Sequence, residues 1–123
     1  MKPPSPWIPM SDPVDVKHLG KLCEELNECG AAASRCLIQG IDEPEPTTGK
    51  INRAWLAEEI ADVLANVELV TERFNLPLHA IIARKERKKA NLRIWHAVAA
   101  VDYSEAEVDV IVAGYLPEHV MAG

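Results

Sequence analysis

The chain reads as an all-α protein, a helical bundle of three main helices plus a short C-terminal helix, completed by oligomerisation. Three observations carry this reading. Apolar residues recur at three-four spacing along long stretches of the sequence. One Phe and two Tyr leave a core that must be aliphatic and alanine-rich, as helix packing favours. The few short β-like runs do not alternate convincingly between apolar and polar. At 123 residues the chain has the size of one domain.

Residues 1–12 carry Pro3, Pro4, Pro6 and Pro9 and read as an extended arm, with Trp7 and Ile8 apolar enough to dock on a partner subunit or on the chain's own core. Asp12 before Pro13 is a helix start, an N-cap acceptor followed by proline at the first helical position. Leu19, Leu22, Leu26, Cys29, Ala33 and Leu37 then mark a first helix over about 13–39, weakened by Gly20 and Gly30 and stopped by Gly40. The composition of 40–52 is that of a loop. Asn52 is placed to cap a second helix from Arg53 to about Phe74, whose stripe is Leu56, Ile60, Val63, Val67, Val70 and Phe74. Asn75-Leu76-Pro77 breaks the chain, and Pro77 restarts it as a third helix over about 77–95. Ser104 with Glu107 has capping-box spacing for a short fourth helix ending at Gly114. The domain plan is therefore an arm (1–12), a helical domain (13–96) and a C-terminal helix and tail (97–123).

Composition excludes several classes. A net charge of −6 argues against broad nucleic-acid binding, which needs basic surface. No apolar run approaches the ~20 residues of a membrane span. Cys23, Cys29 and Cys36 are odd in number and lack CxxC spacing, so buried, reduced thiols in a cytoplasmic protein are expected rather than zinc ligands or disulfides. His79, His96 and His119 are scattered, and Asp15-x-x-His18 is the nearest approach to a di-iron Glu-x-x-His motif.

The chemistry-bearing feature is acidic. Glu24-Glu25-Leu26-Asn27-Glu28 and Glu58-Glu59-Ile60-Ala61-Asp62 lie on consecutive helices. Residues three apart share a helical face, so Glu25 pairs with Glu28 and Glu59 with Asp62. At ~100° per residue, Glu25 and Glu59 fall roughly 70–75° from the centre of their apolar stripes, and Glu28 and Asp62 roughly 130–135°. Glu24 and Glu58 point nearly opposite. Each helix thus places one carboxylate at the core boundary and a second beside it. If the helices pack together, four carboxylates converge, and such a cluster calls for a hard divalent cation, Mg²⁺ above all. The basic counterpart is the third helix, where Arg84, Lys88, Asn91 and Trp95 form one stripe. Lys88 and Asn91 are candidates for phosphate contact, whereas Lys85, Arg87 and Lys89 read as a solvated basic face. Trp55, one turn before Glu59, is placed to stack on a base or to pack in the core or a subunit interface.

The order Glu24-Glu25-x-x-Glu28 followed by Glu59-x-x-Asp62 resembles the EExxE…ExxD signature of the MazG-like all-α nucleoside triphosphate pyrophosphohydrolases, in their compact single-domain form. Ala90-Asn91-Leu92-Arg93-Ile94 resembles the Asn-plus-basic element that the family carries on its next helix. The segment between Glu28 and Glu59 is longer than the motif usually spans, because of the 40–52 loop. The resemblance implies Mg²⁺-dependent cleavage of a nucleoside triphosphate between its α- and β-phosphates, with Mn²⁺ as a possible substitute ion, by a dimer or tetramer. It implies Glu25, Glu28, Glu59 and Asp62 as the metal ligands and catalytic carboxylates, and Asn91 with Lys88 or Arg93 as contacts to phosphate or sugar. The alternative is a non-catalytic nucleotide- or protein-binding module of the same fold.

Overall fold

Asp12 opens the first helix as its sequence position implies: its carboxylate accepts from the backbone N–H of Val14 at 2.8 Å and of Asp15 at 3.1 Å, with Pro13 in the first turn. The computed structural model describes residues 2–4, 6–99, 110 and 113. It contains α1 (Pro13–Gln39), α2 (Asn52–Arg73) and α3 (Leu78–Ala99) and no strand among the described residues. The expected C-terminal helix falls almost wholly outside them; Val110 and Ala113 alone are described there, both helical. Among the described residues no helix is long and apolar enough to cross a membrane.

The chain divides into two units, Met1–Leu76 and Pro77–Gly123. In the first, α1 and α2 pack as an antiparallel hairpin. At one end Arg73 of α2 reaches back to Asp15 (2.7 Å) and Asp12 (3.4 Å) of α1. At the other, Asn52 donates to Gln39 Oε1 (3.1 Å) and to the Gly40 carbonyl (3.0 Å). Gly40 ends α1 with a φ of 102°, which suits glycine, and its N–H closes on Cys36 O at 3.0 Å.

The connection is an ordered turn. Pro44 and Ile51 form an antiparallel bridge, and the Glu45 carboxylate gathers the N–H groups of Thr47 and Thr48 and the Thr48 hydroxyl. Asp42 holds Arg53 through two bonds of 2.7 and 3.0 Å. Asn52 does not cap α2 as expected. Ile51 occupies that position without a side-chain bond, because the Asn52 amide, 1% exposed, is committed to the end of α1.

The seam between α1 and α2 also differs from the apolar stripes. Its buried members are Glu25 and Ala32 on α1 and Asn52 and Val70 on α2. Leu26, Ile60 and Val67, all stripe residues, stay exposed, as does Leu64. The cysteines are free, as expected, but not buried: Cys23 is exposed and Cys29 and Cys36 half-buried. In the second unit α3 extends to Ala99, with Ile94 its one buried residue among those described.

Candidate metal centre

Helical spacing brings Asn52, Trp55, Glu59, Asp62 and Asn66 onto one face of α2, and Lys21, Glu25 and Ala32 onto one face of α1. Where these faces meet, one carboxylate oxygen from each of Glu25, Glu59 and Asp62 lies within 4.8 Å of the others. That separation matches an ion bridging oxygens at about 2.1–2.4 Å each. Glu25 is buried (6% exposed), Glu59 half-buried and Asp62 exposed, so the group opens from the seam toward solvent.

Two details test whether a cation fits. Glu25 Oε2 and Glu59 Oε2 are both buried and accept no hydrogen bond, a costly arrangement for carboxylates in a protein interior. Their companion oxygens are held in place: Glu25 Oε1 faces Lys21 Nζ at 3.1 Å, and Glu59 Oε1 accepts from Trp55 Nε1 at 3.2 Å. Each of these two carboxylates therefore has one oxygen with a partner and one left over. Three hard oxygen donors with two uncompensated lone-pair sets fit a divalent cation that prefers oxygen.

Glu28, the fourth expected ligand, does not belong to this triplet and is exposed. It is close enough to feel it. The charge of Glu25 first, then lost hydration, then Glu59 and Glu24, hold its carboxyl above its ordinary 4.5 against the opposing pull of Lys21.

Trp55 is half-buried, with the Arg35 guanidinium 4.2 Å from its ring centroid and Lys50 Nζ at 5.4 Å. Arg35 thus occupies ring surface that a stacking base would need. Lys88 borders a basic hollow of about 550 Å³ with Arg84 and Lys85 in the second unit, where Asn91 and Arg93 are exposed. Sequence reasoning missed two cations at the acidic seam. Lys21 precedes Glu25 by one helical turn, so the same spacing rule that paired the acids could have found it. Arg35 carries no comparable local signal, since its position over Trp55 depends on how two helices pack.

Compared with known proteins, the chain matches no family model, no curated protein and no solved structure.

Proposed function

We propose that the protein is a Mg²⁺-dependent nucleoside triphosphate pyrophosphohydrolase, cleaving between the α- and β-phosphates to give a monophosphate and pyrophosphate. The observation that supports it is the convergence of Glu25, Glu59 and Asp62, two of them with a buried oxygen lacking a partner, on consecutive helices. The motif resemblance supplies the reaction class.

Bound at these carboxylates, the ion would polarise phosphoryl oxygens and acidify water. The chain's own groups have separable tasks. Glu25, Glu59 and Asp62 would hold the ion; Trp55 fixes the Glu59 ligand oxygen by hydrogen bond, and Lys21 is the countercharge that Glu25 keeps without the ion. Glu28, beside the triplet and outside it, is the carboxylate free to take a proton from the attacking water. Lys88, Asn91 and Arg93 remain candidates for phosphate or sugar contact, exposed on α3. Exposed Leu26, Ile60, Leu64 and Val67 support a homo-oligomer, since nothing among the described residues of the first unit covers them.

Incubating a panel of natural and modified nucleoside triphosphates with Mg²⁺, and separately with EDTA, tests the activity. Monophosphate and pyrophosphate should form with Mg²⁺ alone. Diphosphate and orthophosphate would contradict the bond assignment. No turnover by folded protein would favour the non-catalytic binding module.

A further inference from the structure

One turn along the seam from the carboxylates, a cavity of about 200 Å³ opens between the two helices. It is lined by Lys17, His18 and Lys21 of α1 and Asn66, Leu69 and Val70 of α2. It lies wholly within the first unit. Its wall is mostly apolar, and the polar groups that border it carry donors. Two lysines supply ammonium groups; Asn66 supplies an amide whose Nδ2 already donates to Asp62 O at 2.8 Å, which ties it to the carboxylate turn. His18 Nδ1 sits 2.9 Å from Val14 O, so that nitrogen carries a proton and Nε2 is the one left over. Lys21 belongs to both places: it borders the cavity and contacts Glu25 at 3.1 Å and Glu24 at 3.4 Å.

A divalent cation at Glu25 would repel the Lys21 ammonium that neutralises that carboxylate in its absence. Lys21 is half-exposed on a flexible stem, so it can swing away from Glu25 at little cost. Lys21 also borders the cavity, whose lining includes no carboxylate, so an anion seated there would meet Lys17 and Lys21 without acidic competition from the cavity wall. We propose that this cavity seats the pyrophosphoryl end of the substrate, with Lys17 and Lys21 as its charged contacts. The seat rests on the metal reading, because the carboxylate-bound ion and the cavity would hold neighbouring parts of one triphosphate. Lysines do for anionic oxygens here what the carboxylates do for the ion, and the leaving group finds its countercharge before the bond breaks.

Isothermal titration with four probes separates the two ideas: Mg²⁺ alone, inorganic pyrophosphate with Mg²⁺, a nucleoside monophosphate with Mg²⁺, and a nucleoside triphosphate carrying a non-hydrolysable α,β-bridge. The variants are Lys17→Gln and Lys21→Gln, both at exposed positions, with circular dichroism to confirm folding. Lys17→Gln should weaken pyrophosphate and the triphosphate analogue by about threefold to tenfold, the range for one charge-assisted contact at a solvent-open site. It should leave Mg²⁺ binding and nucleoside monophosphate binding unchanged. Lys21→Gln should weaken pyrophosphate similarly while Mg²⁺ binding stays equal or tightens, since a competing cation has gone. Wild-type pyrophosphate affinity in Lys17→Gln, with Mg²⁺ binding intact, overturns the seat and leaves the metal site standing. An equal loss of monophosphate affinity also overturns it, showing general attraction rather than a pyrophosphoryl seat. Absence of Mg²⁺ binding in wild type removes the metal reading, and the seat with it.

Discussion

Glu28 shows what an acidic site costs the protein that carries it. Its carboxyl is raised above 4.5 chiefly by Glu25, so the folded state holds that proton more tightly than the unfolded chain does. Ionising Glu28 as pH rises above its ordinary value therefore lowers stability, and the loss is recovered as pH falls back through it. Asp12, Asp42 and Glu45 behave in the opposite sense. Backbone N–H groups hold Asp12 and Glu45 below their ordinary 3.8 and 4.5, and Arg53 does the same for Asp42. Their stabilisation is present above those values and disappears as pH falls through the depressed ones. Melting curves in EDTA should thus show Glu28→Gln flattening the decline above pH 4.5 while leaving the acid limb in place. A variant that melts like wild type at neutral pH would show that Glu28 is not under repulsion from the cluster. At this scale the sequence was informative where chemistry is local. Helical spacing alone picked out Glu25, Glu28, Glu59 and Asp62, of which Glu28 stands outside the triplet. Trp55 bonding Glu59, and Arg35 lying over the indole, required the helix pairing to be known.

The helices themselves were legible because their signals are short-range. Asp12-Pro13 and Gly40 mark the ends of α1, and Asn75, with a φ of 48°, turns the chain ahead of Pro77. The seam was not legible. Periodicity locates an apolar stripe but not which neighbour covers it, and here Glu25 and Asn52 are buried where Leu26 and Ile60 are not. Asn52 is the clearest case of tertiary structure overriding a local signal. A good capping residue instead bonds the end of the preceding helix. Replacing it with Ala strips the half-buried Gly40 carbonyl and the Gln39 side chain of their donor, a loss of about 1–3 kcal/mol. Chemical denaturation should show that loss with an unchanged slope. A neutral result would mean that the hairpin closes without this bond.

For the whole molecule, the described core is small: Ala32, Val70 and Ile94 are its buried apolar residues, while Leu64 remains 59% exposed and Ile60 45%. A second copy covering these residues would enlarge the small interior of the described residues, as an obligate interface does. Light scattering should report a dimer or larger, and Leu64→Glu should shift it toward monomer with a concentration-independent, lower melting temperature. A stable wild-type monomer at micromolar concentration would contradict this. The ion, the proton acceptor and the pyrophosphoryl seat all depend on the carboxylate seam, so the most direct test is calorimetric titration of Mg²⁺ into wild type and Glu59→Gln. Wild type should bind the ion and gain thermal stability from it, and Glu59→Gln should fold yet lose most of both. Equal binding by the two proteins, or none by wild type, would contradict a metal centre at Glu25, Glu59 and Asp62.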